Sequence, residues 1–109
     1  MASEVLKVAF KSTLTDSEYD LITVASGKTA TVLSITFCET AGAAETFDLY
    51  IRDDAGSNDY EIYSDQALGA NETFEHTGRI ILEAGDALAA KTAGSADVDV
   101  VVSYLLQTL

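Results

Sequence analysis

Along almost the whole of this chain, apolar residues recur at every second position, and turn-forming residues cut the pattern before any run is long enough for a helix. Between residues 31 and 39, Leu33, Ile35 and Phe37 alternate with Val32, Ser34, Thr36 and Cys38, as in a strand with one face in a core. Phe47, Leu49 and Ile51 repeat the pattern against Thr46, Asp48, Tyr50 and Arg52. Near the end, Val98, Val100, Val102, Tyr104 and Leu106 form one face, with Asp97, Asp99, Val101, Ser103 and Leu105 opposite. Val101 and Leu105 make that second face unusually apolar, so another subunit is expected to cover it. Ala25-Ser26-Gly27-Lys28, Ala41-Gly42-Ala43, the loop 53–59, Gly69-Ala70-Asn71, Glu83-Ala84-Gly85-Asp86 and Ala93-Gly94-Ser95 separate the runs.

Eight strands follow, near residues 5–11, 19–25, 30–39, 45–52, 60–66, 72–82, 86–91 and 97–106. No crossover helix has room between them, so parallel pairing is excluded. The expected fold is all-β: an eight-stranded antiparallel β-sandwich, jelly-roll-like, in a single domain over residues 1–109. Only residues 63–68 can be drawn as a helical turn. Leu33, Ile35, Phe37, Phe47, Leu49, Ile51, Ile80, Leu82, Leu88, Val98, Val100, Val102 and Tyr104 are expected to point inward between the sheets.

Charge restricts the partners. Eighteen acids face six bases, a net charge of −12, and ten acids with one base, Arg52, lie between Glu39 and Glu75. Such a surface repels phosphate, which argues against nucleic acid, and it is disfavoured at anionic membranes. It serves either as a solubilising shell or as a face for a basic partner or cations. No run of eighteen apolar residues is present, and Met1-Ala2-Ser3-Glu4 lacks the start of a signal peptide. The chain is therefore expected to be soluble and made in the cytoplasm. It has no proline, so its sheet edges need acids, glycines or a neighbouring subunit for protection, which favours an oligomer. Lys7, Lys11, Lys28 and Lys91 lie outside the acidic stretch and are expected on the docking side.

Residues that carry chemistry are scarce, and no catalytic, cofactor-binding or metal-binding residue is assigned. His76 is the single histidine and Cys38 the single cysteine. No Gly-x-Ser-x-Gly elbow supplies a nucleophile, so His76 reads as an exposed strand or loop residue and Cys38 as a small, partly buried side chain. The acid pairs Asp53 with Asp54, Asp97 with Asp99, and Glu72 with Glu75 arise readily among so many acids, and no Trp accompanies them as a sugar platform. The loop Asp53-Asp54-Ala55-Gly56-Ser57-Asn58-Asp59 has the oxygens a hard cation wants, but it lacks EF-hand spacing and has the composition of a hairpin tip. Gly27-Lys28-Thr29 resembles the end of a phosphate loop, yet Ile22 stands where the first glycine is needed. Asn71-Glu72-Thr73 matches a glycosylation sequon and, with no signal peptide recognised, is expected to be idle.

The turns carry a resemblance. Asp20-Leu21-Ile22-Thr23-Val24-Ala25-Ser26-Gly27-Lys28-Thr29-Ala30-Thr31-Val32-Leu33-Ser34-Ile35 resembles a pattern in small virion proteins of tailed bacteriophages. Cys38-Glu39-Thr40, Ala44-Glu45-Thr46-Phe47-Asp48-Leu49-Tyr50-Ile51, Ile80-Ile81-Leu82-Glu83-Ala84-Gly85-Asp86 and Val98-Asp99-Val100-Val101-Val102-Ser103-Tyr104 follow in the same order. The likeness runs from about Leu14 onward and departs at Ala25, where a proline is common. It implies a capsid decoration (cement) protein of the virion, jelly-roll-like, assembled as a trimer or a larger ring, with the major capsid protein or another virion protein as partner. The alternatives are a neck, tail or fibre component or, from a different class, a carbohydrate- or calcium-binding β-sandwich.

Overall fold

Nine strands form in a computed structural model of the chain, which describes residues 3–54, 58–94 and 97–108. They are β1 (Ser3–Leu14), β2 (Tyr19–Thr23), β3 (Lys28–Glu39), β4 (Glu45–Arg52), β5 (Asp59–Leu68), β6 (Thr73–His76), β7 (Ile80–Leu82), β8 (Ala87–Thr92) and β9 (Val98–Thr108). Two antiparallel sheets result: one in the order β1-β9-β3-β6, with β7 also on β3, and one in the order β2-β8-β4-β5. The pairs β1·β9, β2·β8, β3·β6/β7 and β4·β5 are the two arms of one long hairpin. That hairpin is rolled until β9 also meets β3 and β8 meets β4, which is the wrapping of a jelly roll.

The expected strand over residues 72–82 is two strands, and the reason lies in β3. Val32 pairs with Tyr104 and Ser34 with Ser103, so Leu33 is the extra residue of a β-bulge. β7 pairs with β3 before the bulge and β6 after it, and Thr77-Gly78-Arg79 spans the gap. The bulge also reverses which alternate residues face inward. Ala30 and Val32 face the core before it, Ile35 and Phe37 after it, and Leu33, expected inside, turns to the outer face and is half-buried.

The rest of the expected core holds, with Ile51 and Tyr104 only partly buried against it. Leu14, Leu21, Ile22, Val24 and Leu68 complete it. Phe37 stacks on Phe47 at 4.0 Å between ring centroids, bridging the sheets, while Phe74 and Tyr63 meet Phe47 edge-on at 5.5 and 6.2 Å. Residues 63–68 belong to β5 rather than to a helical turn. Ser64 and Asp65 together oppose Asp48, with Asp65 at φ 50° and its N–H donating to Asp48 Oδ1 at 2.7 Å.

Candidate interaction surfaces

The middle of the outer face of the first sheet carries little charge, with Glu4 and Asp99 exposed toward its two ends. Three rows cross it: Leu6, Leu105, Thr31 and Ile81; then Val8, Ser103 and Ser34; then Phe10, Val101, Thr36 and Glu75. Glu75, at the far edge, is the single charged side chain in those rows. Leu6 is 74% exposed and Phe10 70%, and Val8, Ile81 and Val101 are exposed with them. Large apolar side chains in one exposed patch mark an interface. A shallow depression of about 410 Å³ lies among Leu6, Lys7, Val8, Leu33, Ser103 and Tyr104. The second apolar face expected from Val101 and Leu105 is therefore present, and β1 extends it.

The outer face of the second sheet has the opposite character. One row reads Asp20, Ala89, Tyr50, Glu61 and the next Thr23, Ala87, Arg52, Asp59. Arg52 grips Asp20 with Nη2 at 2.8 and 2.7 Å and reaches Glu18 with Nη1 at 2.6 Å. The Tyr50 hydroxyl donates to the other Glu18 oxygen. Tyr50 is only 2% exposed although it points away from the core, and burial together with the Glu18 carboxylate holds its phenol well above the usual value. Burial, then the carboxylates of Asp48 and Asp59, push the Glu61 carboxyl up. Lys91 is on this face too, paired in register with Asp48. The four lysines expected on one docking side are thus divided: Lys7, Lys11 and Lys28 belong to the first sheet and Lys91 to the second.

The motif residues organise turns. Glu39 is buried at the end of β3, and its carboxylate accepts from the N–H groups of Ala41 at 2.9 Å, Gly42 at 2.8 Å, Ala43 at 3.1 Å and Asn71 at 3.0 Å. The Asn71 N–H foremost, then those of Ala41, Gly42 and Ala43, hold its pKa below the ordinary carboxylate value against the opposing effect of burial. Gly85 adopts φ +90°, its N–H donates to Val24 O at 2.9 Å, and a Cβ there would lie 1.9 Å from Asp54 Oδ1. Gly27 takes φ +78° in the neighbouring turn. The resemblance therefore rests on residues whose work is backbone geometry.

Cys38 and His76 are not brought together. His76 pairs with Ile35 and faces inward, whereas Cys38 is on the outward set of β3. His76 is half-buried rather than exposed, because its Nδ1 bonds the Tyr63 hydroxyl at 2.7 Å at the margin of the aromatic cluster, leaving Nε2 buried with no partner among the described residues. Glu72 caps its own turn through Gly69 N–H at 2.7 Å, and Asp99 accepts from Thr13 N–H at 3.2 Å. Of the loop 53–59, Ala55, Gly56 and Ser57 lie outside the described residues. Among the described residues, no three His, Cys, Asp or Glu side chains gather as a metal site. Sequence reasoning missed the Glu39 cradle and the Arg52 cluster; the signal for the second was a lone base inside the acidic stretch.

No family model matches the sequence, and no curated protein matches it. Solved structures share the fold. A chain from the disulfide-linked pili of Bacillus endospore appendages matches with a TM-score of 0.59 and 4% identity, over 98% of this chain and 87% of the other. A chain from the acidic-stable capsid of Helicobacter pylori bacteriophage KHP30 matches with a TM-score of 0.53 and 15% identity, over 100% and 94%. VP2 of infectious bursal disease virus matches with a TM-score of 0.58 and 12% identity, but this chain spans only 32% of it.

Proposed function

We propose that this chain is a non-catalytic structural protein of a bacteriophage virion, and that it decorates the capsid by seating on the assembled head. The observation that carries this reading is the match to the KHP30 capsid chain over nearly the full length of both. A jelly roll of this size is thus a component of a phage shell, whereas in infectious bursal disease virus it forms about a third of a larger chain. The two faces support the same role. An apolar face with its few acids at the margins docks while bringing little charge to the contact, and the acidic face opposite stays in water and keeps particles apart. The partners are the major capsid protein and further copies of the chain, with neither nucleic acid nor membrane, given the net charge of −12.

A neck, tail or fibre position is the second reading, favoured by the pilus chain with the same fold. Co-sedimentation separates the two. Purified chain mixed with heads assembled without it pellets with those heads under the decoration reading, and the decorated heads withstand more heat. Chain that remains in the supernatant with heads but pellets with tails would overturn it.

A further inference from the structure

Four edges bound the two sheets, and three of them are protected. β2 is five residues long, slips register between Asp20 and Ile22, and presents Asp20. β5 slips twice and carries Asp59, Glu61 and Asp65. β6 and β7 are four and three residues long and separated by Thr77-Gly78-Arg79. β1 is longer and more regular, although it carries Glu4, Lys7 and Lys11 and shifts register between Lys11 and Leu14. It is twelve residues long, holds an unbroken register with β9 from Ser3 to Lys11, and exposes Val5, Leu6, Val8 and Phe10. A long, regular, apolar edge is where another chain adds a strand.

We propose that β1 pairs antiparallel with β1 of a second copy about a two-fold axis at Val8, joining the two first sheets into one. Two-fold pairing keeps each face on its own side, so the axis must pass through a residue. An axis at Lys7 sets Lys7 opposite itself, and an axis at Ala9 sets Lys7 opposite Lys11; like charges in directly opposed positions destabilise a pair. At Val8 no lysines are opposed. Leu6 meets Phe10 of the second copy, Val8 meets Val8, Lys7 meets Ala9 and Val5 meets Lys11.

Charge selects a second copy as the occupant. β1 carries Lys7 and Lys11 against Glu4, the only edge strand with more bases than acids, so two chains of net charge −12 meet where each is least acidic. Pairing β1 with a different edge of the next copy, as a three-fold ring requires, would place it on a strand that is short or slips register. The two-fold pairing also sets both apolar outer faces on the same side, doubling the apolar surface. It goes beyond the decoration reading and does not depend on where the chain sits in a particle.

Sedimentation equilibrium of the isolated chain, from low micromolar to 100 µM, tests it. A dimer is expected, weakened at least tenfold by Leu6→Lys with Phe10→Lys; both side chains are exposed, so the melting transition of the monomer is unchanged. In a Cys38→Ser background, Val8→Cys is expected to form a cross-linked dimer with diamide as oxidant, and Ser12→Cys is not. A mass of three chains, or a dimer in which Val8→Cys does not cross-link, would overturn the pairing. A monomer at all concentrations, with β1 amides protected from exchange only in the particle, would assign the edge to another virion protein and overturn it equally.

Discussion

Removing one of the two stacked rings tests how the sandwich is held. Phe47 is 1% exposed, stacks on Phe37 at 4.0 Å and takes Phe74 and Tyr63 edge-on, so Phe47→Ala leaves a void bounded by three other rings. Burying an aromatic side chain and then truncating it costs about 3–5 kcal/mol, against a total stability of about 5–15 kcal/mol for a domain of this size. At roughly 4–5 °C per kcal/mol, Tm falls by roughly 12–25 °C. The informative control is the neighbouring pair in β3. Val32→Ala, inside the bulge boundary, costs about 2 kcal/mol, while Leu33→Ala, on the outer face, costs about 1 kcal/mol or less. Urea denaturation followed by circular dichroism reads all three. Wild-type melting in Phe47→Ala, or a larger loss in Leu33→Ala than in Val32→Ala, would refute the core and its register.

Glu39→Gln separates a carboxylate from an ordinary acceptor in the turn cradle. The folded pKa lies below that of the unfolded chain, so the stabilisation from Glu39 is complete at neutral pH and is lost as pH falls through the folded value. The variant is less stable at pH 7 and loses part of the acid dependence of urea midpoints; an unchanged pH profile would contradict the cradle. Gly85→Ala forces an L side chain into a left-handed backbone, costing about 1–2 kcal/mol before any clash with Asp54. Thermal melting shows the loss, and Asp54→Ala in the same chain recovers part of it. Calcium is expected to leave Tm unchanged. A rise that disappears when Asp53, Asp54 and Asp59 become Asn would instead revive the cation-binding reading.

The strands and turns were legible because alternation and turn residues are local signals. Gly27 and Gly85 could be placed from sequence since left-handed turns demand them. The β3 bulge was not legible: Leu33, Ile35 and Phe37 continue one unbroken alternation, and only pairing of Val32 with Tyr104 and Ser34 with Ser103 shows that Leu33 falls out of it. The division of β6 from β7 depends on that bulge and was hidden with it. β1 misleads in the other direction, because Val5, Leu6, Val8 and Phe10 are apolar yet exposed, and its apolar residues serve an edge instead of a core. Glu18, Asp20 and Arg52 meet across β2, β8 and β4, a distance in sequence that no local pattern spans.

A cryo-EM map of the virion tests the central claim most directly. Decoration predicts jelly-roll density on the outside of the head, with the face of Leu6, Val8, Phe10 and Val101 against the shell and the face of Asp48, Asp59 and Glu61 toward solvent. Density for the chain at the neck, tail or a fibre, with a bare head surface, would contradict it.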